Sequence, residues 1–104
     1  MVHDLPKGLK ALTHENFEPC VGEDFFIESD PAPISIRLDR LVKLMNGPAF
    51  LTRAPFSAFW STDFSVSLMF GTYALRNGAW GPHPVYVEPM HFFGERRVYQ
   101  SVFF

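Results

Sequence analysis

The sequence predicts an all-β fold: a single antiparallel barrel or sandwich of six to seven short strands, with a helical turn near the N-terminus. Three observations carry this. Nine Pro and seven Gly divide the 104 residues into pieces of about five to ten residues, the spacing of strands and turns rather than of helices. Several of these pieces alternate apolar and polar residues with a period of two, as half-buried strands do. Asn77-Gly78 then marks a tight hairpin. No linker or internal repeat divides the chain, so residues 1–104 read as one domain, with residues 1–8 as a flexible N-terminal arm.

Leu9 to Phe17 opens the domain. Thr13 is placed to cap a helix, because its hydroxyl can accept from a backbone N–H two or three residues on. Pro19 keeps that turn short, and Leu12 and Phe17 are expected to plug one end of the domain. After Gly22, Asp24 to Ser29 reads as a strand carrying Phe25, Phe26 and Ile27. Asp30-Pro31-Ala32-Pro33 is a turn, since Pro has no N–H for a ladder. Ile34 to Leu44 is the longest strand. Ile34, Ile36 and Leu38 alternate with Ser35, Arg37 and Asp39. Leu41 breaks the phase, so a β-bulge near Asp39-Arg40 is expected to restore the inward face. One helical turn at Leu38-Leu41-Val42-Met45 is the alternative. Asn46-Gly47-Pro48 ends the element.

Pro55 to Trp60 reads as the next strand and Ser61-Thr62-Asp63 as a turn. Phe64, Val66, Leu68 and Phe70 alternate with Ser65, Ser67 and Met69, which predicts a strand with those four side chains inward. Gly71 interrupts, and Tyr73 and Leu75 resume the alternation up to Asn77-Gly78. Gly81-Pro82-His83-Pro84 reads as a rigid loop, Val85 to Val87 as a strand closed by Pro89, and Met90 to Glu95 as a connection. The last strand runs from Arg97 to Phe104. Sequential strands on short loops pair antiparallel, and closure hides their edges.

Five stretches together resemble a known family: Leu12-Thr13 with Glu15 and Phe17; Val21-Gly22 with Phe25 and Ile27; Pro55-Phe56-Ser57 with Phe59; Gly71-Thr72-Tyr73; and Tyr86-Val87 with Pro89, leading to Tyr99 and Val102-Phe103. In this order they look like an uncharacterised family of small bacterial proteins, a domain of unknown function of about this length. The resemblance runs from Leu12 to Phe103 and rests on aromatic, Gly and Pro positions. It implies a small all-β domain and carries no catalytic residue. Some members lie near phage-tail-like or surface-appendage genes, a link to assembly that the resemblance alone implies.

Composition narrows the function classes. Nine basic and eleven acidic residues give a formal charge of -2. Arg96-Arg97 is the densest basic pair, and Arg37, Arg40 and Lys43 are spread around Asp39, so no basic stripe for nucleic acid emerges. No apolar run reaches the ~18 residues of a spanning helix, and the N-terminus has no h-region of a signal peptide. With one cysteine and no disulfide partner, the expected compartment is the cytoplasm, with export by another route left open. The aromatic last residue is a feature of outer-membrane strands, but Gln100 breaks their alternation and the strands are too few.

The candidate chemistry is sparse. Cys20, with His14 or another histidine as base, is the one possible nucleophile; its apolar neighbours argue for an inert, buried thiol. His83, Glu88 and His91 flank one strand and could share a metal only if both loops curled to one side; loop histidines in solvent are the plainer reading. Glu23 and Asp24 are adjacent on a strand and face opposite ways, and Glu28 and Asp30 sit at a turn; both pairs read as solubilising charge. No phosphate loop and no Gly-x-Ser-x-Gly elbow occurs. No cofactor or metal site is therefore expected.

Twelve Phe, two Trp and three Tyr in 104 residues are the feature that bears on function. The pattern puts Phe17, Phe25, Phe56, Phe64 and Phe70 inward. Phe26, Phe59, Trp60, Trp80, Phe92, Phe93, Phe103 and Phe104 are the candidates for a contact surface, since exposed apolar patches of a few hundred Å² usually mean contact. The reading is a non-enzymatic binding or assembly module, with a protein partner or a second copy, self-associating through exposed aromatics. A small-molecule-binding barrel is the alternative, and a metal or thiol enzyme the third.

Overall fold

The computed structural model describes residues 13–44, 55–90 and 94–104. It is a closed antiparallel barrel of six strands: β1 (Asp24–Ile27), β2 (Ile34–Lys43), β3 (Phe56–Asp63), β4 (Gly71–Asn77), β5 (Trp80–Pro89) and β6 (Arg96–Phe103). Around the barrel the order is β1-β2-β3-β6-β5-β4. A short helix, α1 (His14–Phe17), and a 3-10 turn over Glu18–Cys20 precede β1. Thr13 caps α1 as expected, its Oγ1 accepting from the Asn16 N–H at 3.1 Å. The N-terminal arm, Leu12, and the Asn46-Gly47-Pro48 stop lie outside the described residues. Among the described residues, no helix is long and apolar enough to cross a membrane.

The helix plugs one end because Phe17 is the hub of an aromatic cluster. Its ring lies 5.6–6.4 Å from those of Phe25, Phe56, Trp60, Trp80 and Phe103, within the range of favourable edge and tilted contacts. Phe56 and Phe103 stack beside it at 4.8 Å. Ile36, Leu38, Leu75, Val85 and Val87 continue this core along the barrel.

The bulge in β2 is where the sequence places it. The β2–β3 register shifts between Leu38 and Arg40. Leu38 then faces inward opposite Trp60, and Leu41 faces inward opposite Ala58. A second shift lies in β4 between Leu75 and Asn77. Gly81 answers it from β5: at φ +89°, any Cβ there would overlap the Leu75 carbonyl oxygen. Asn77 and Trp80 face each other across the β4–β5 hairpin. Gly78 supplies the positive φ, +56°, at the first loop position.

Three readings of the sequence are corrected. Ser61-Thr62-Asp63 is not a turn; it extends β3, and Ser61 and Thr62 are buried. Gly81 to Pro84 is not a loop; it belongs to β5. The stretch from Phe64 to Phe70 is not a strand. β3 is flanked by β2 and β6, and β4 by β5 and β1, so the β3–β4 connection must cross the barrel mouth. The alternation reports a segment buried on one side, which a capping loop is as well. Val66 and Leu68 turn into the core, while Phe64 and Phe70 stand 50% and 65% exposed, opposite to expectation.

Side-chain hydroxyls fix this cap. The Leu68 N–H donates to Tyr99 Oη at 3.1 Å, and Thr62 Oγ1 donates to the Val66 carbonyl at 3.2 Å. Thr62 has a single hydroxyl proton, so Tyr99 must be the donor across the 3.2 Å between the two hydroxyls. Tyr73 Oη donates to the Met69 carbonyl at 2.7 Å, and Arg97 Nε to the Phe64 carbonyl at 2.9 Å.

Candidate functional site

The barrel's outer surface divides into two unlike walls. Strand alternation sends every second side chain outward. On β1–β2–β3 the outward residues include Asp24, Arg37, Asp39, Ser61 and Asp63. Arg37 Nε reaches Asp39 at 2.6 Å. Arg96 lies across β3, donating to Ser61 Oγ at 2.7 Å, to the Ser61 carbonyl at 3.1 Å and to Asp63 at 3.2 Å. Two clefts, of about 490 and 370 Å³, meet at Arg37 and Arg96. The guanidiniums there are already held by carboxylates, and Asp24 and Glu95 add negative charge, so the clefts do not favour an anion.

On β4–β5–β6 the outward rows run Phe70, Thr72 and Ala74; Pro84, Tyr86, Glu88 and Met90; and Val98, Gln100, Val102 and Phe104. Glu88 is the one charged residue among these; Arg76, next in the β4 row, is paired with Glu28 at the β1 edge. Phe70, Tyr86, Met90, Val102 and Phe104 are 41–75% exposed. This wall is also the less tightly sewn. β5 and β6 share only the register pairs Glu88–Gln100 and Pro89–Tyr99, after which the strands part. Ser101 bridges the gap: its hydroxyl accepts from Trp60 Nε1 at 3.0 Å and donates to the Tyr86 carbonyl at 2.6 Å. Beyond the bridge lies a groove of about 280 Å³, bounded by Thr72, Pro84, Tyr86, Val102 and Phe104, with Val85 and Phe103 at its base.

The expected contact residues separate accordingly. Trp60, Trp80 and Phe103 are not surface aromatics. All three are buried in the Phe17 cluster: Trp60 and Phe103 fall on the inward rows of β3 and β6, and the β4–β5 register shift turns Trp80 inward although it shares the parity of the outward Pro84 and Tyr86. Phe26 is 38% exposed and Phe59 is half-buried, with the Arg40 guanidinium 4.1 Å above its ring; both lie on the charged wall. Phe104 is on the apolar wall. Phe92 and Phe93 lie outside the described residues. Sequence reasoning missed Tyr86 and Val102, although each occupies an outward position of a period-2 strand.

The catalytic candidates come apart. Cys20 is buried, and burial raises its thiol pKa, with Glu23 adding to the rise. Fewer thiolates means slower alkylation. Iodoacetamide should label the native protein slowly at neutral pH and rapidly after unfolding; fast native labelling would contradict an inert thiol. His83 stands inward in the ladder opposite Leu75, its ring 5.0 Å from that of Trp80, whereas Glu88 faces outward and His91 lies outside the described residues. Glu23 accepts from Asn77 Nδ2 at 3.2 Å, and Glu28 pairs with Arg76. Among the described residues, no three His, Cys, Asp or Glu side chains are grouped to hold a metal.

A family model described as a domain of unknown function (DUF6916) matches residues 12–103. The chain belongs to this family. As a DUF6916 domain it brings a fold and no assigned chemistry, so the walls of its barrel are the basis for a function. No curated protein and no solved structure matches the chain.

Proposed function

We propose that this DUF6916 domain is a non-enzymatic binding or assembly module that acts through the apolar outer wall of β4–β5–β6. One observation carries the reading: large apolar side chains stand outward on strands and on a cap loop that hydrogen bonds hold in place. Flexible loops can expose apolar groups because nothing fixes them. Here the Tyr99–Thr62 chain and Tyr73 fix the backbone beside Met69 and Phe70, and rigid presentation of apolar groups lowers the entropy cost of binding. The interior supports the same reading against a small-molecule barrel. Trp60, Tyr99, Phe17, Phe25 and Phe56 fill it, as side chains do in small barrels.

The test is a photo-reactive benzophenone amino acid placed at Val102 and, separately, at Asp39 on the charged wall. Irradiation in the producing cell should give a discrete cross-linked species from position 102 and none from position 39. An absence of adduct at 102, with the variant folded, would remove the reading.

A further inference from the structure

The unassigned question is what covers the apolar wall. We infer that it is a second copy of the same chain, packed face to face across a two-fold axis; this rests on the binding-module reading above.

The area is the first argument. A whole aromatic side chain presents roughly 150–250 Å². At the exposures of Phe70, Tyr86, Met90, Val102 and Phe104, the wall leaves on the order of 500 Å² of apolar surface in water, the upper range for a single molecule. Two such walls together remove about 1,000 Å², the threshold for a specific interface. The polar neighbours Thr72 and Gln100 would add a rim.

Charge is the second argument. Among the described residues of the patch Glu88 is the one unpaired outward charge, since Arg76 at its β1 edge is taken up by Glu28; such a patch is complementary to a surface equally poor in charge. The chain's other wall, with Asp24, Arg37, Asp39, Asp63 and Arg96, is not such a surface. A homologous pair of apolar walls is, and a two-fold interface demands that one patch be complementary to itself.

The backbone determines how the copies meet. The Tyr86 carbonyl points at β6, since it accepts from Ser101. Strand alternation therefore puts the Pro84 nitrogen on the same side, and that nitrogen has no hydrogen to donate. Proline at an open edge blocks the addition of another strand. The contact is then sheet face on sheet face, with side chains interdigitating, rather than an extension of the sheet.

The experiment is the mass of the full chain in solution by sedimentation velocity, from 1 to 100 µM. The expected result is a species of twice 11.9 kDa that dissociates on dilution. Val102→Arg and Tyr86→Arg, at outward positions, should each give a monomer with an unchanged far-UV spectrum, while Phe26→Arg on the charged wall should leave the dimer intact. A wild-type monomer at 100 µM overturns the inference, as does a dimer that survives both Arg variants. Should the wild type be monomeric yet give a cross-linked species of some other mass from position 102, the wall binds a different partner. The inference then fails while the binding-module reading stands. Monomers that instead sediment with anionic phospholipid vesicles through this wall overturn it in favour of a lipid surface.

Discussion

The two walls of this barrel are built from the same kind of strand and share one core, yet they are held together differently. The β1–β2–β3 wall has a long register between β2 and β3, and its outer face is laced by Arg37–Asp39 and by Arg96 onto Ser61 and Asp63. The β4–β5–β6 wall has two register pairs at its β5–β6 seam, a serine bridge in place of further ladder bonds, and an apolar exterior. The charged wall pairs Arg37 with Asp39 and Arg96 with Ser61 and Asp63. The apolar wall leaves both backbone pairing and apolar area unfinished at the same place. That coincidence, more than the number of aromatics, is what the proposed contact rests on.

The largest perturbation should spare neither wall. Phe17 touches rings from β1, β3, β5 and β6, so Phe17→Ala opens a cavity that both walls line. A loss of about 3–5 kcal/mol is expected, read as a lower urea midpoint with a single transition. If the loss were under about 1 kcal/mol, the plug would not be a shared support and the walls could not be treated as faces of one core.

Ser101→Ala should come next and loosen the β5–β6 seam of the apolar wall first. It leaves Trp60 Nε1 buried without an acceptor and frees the Tyr86 carbonyl. An unsatisfied buried donor costs about 1–3 kcal/mol. Hydrogen exchange should rise at Val85 to Val87 and stay unchanged at Ile36 to Leu38. Equal increases in both would mean the seam is no weaker than the rest of the barrel.

Much of this architecture was legible in the sequence because period-2 alternation and turn chemistry are local. The β2 bulge at Asp39-Arg40 followed from one apolar residue out of phase, and the Asn77-Gly78 hairpin from its turn residues. The cap was not legible. Phe64, Val66, Leu68 and Phe70 alternate as a strand would, and only the strand order shows that this segment must cross the mouth. For the same reason the alternation points Phe64 and Phe70 inward, where the structure exposes them. Pro82 and Pro84 read as loop because a central strand rejects proline; they are tolerated where β5 has parted from β6. Of the expected contact residues, Phe104 stands outward on the apolar wall, while Trp60, Trp80 and Phe103 are core. Parity separates Trp60, in one inward row with Phe56 and Ala58, and Phe103, in one with Tyr99; Trp80 is turned inward by a register shift that no local pattern reports.

On the charged wall the expected effects are smaller. Arg96→Met keeps an unbranched apolar stem and removes the guanidinium with its three hydrogen bonds, two of them to Ser61, whose side chain is buried. Because part of the guanidinium meets solvent, about 1 kcal/mol is expected, and the β3–β6 ladder should keep its exchange protection. A loss above about 3 kcal/mol would mean that Arg96 holds β3 and β6 together and that this wall depends on one side chain as the other depends on Ser101.

The smallest effect should come from Glu28→Gln. Glu28 pairs with Arg76 at the β1–β4 boundary, where the two walls join. Both side chains are about half exposed, so water and ions compete for the same charges, and exposed pairs contribute about 0.2–1 kcal/mol. The substitution keeps the shape and removes the charge. The difference from wild type should therefore be at most about 0.5 kcal/mol at low salt and should fade in 0.5 M NaCl, where screening acts within a few ångströms. Ser101→Ala should keep its full cost in the same salt, because its hydrogen bonds are neutral and buried. A Glu28→Gln difference that persists in salt would show that the boundary pair holds the two walls in register, and that the walls are coupled through their edge as well as through the Phe17 core.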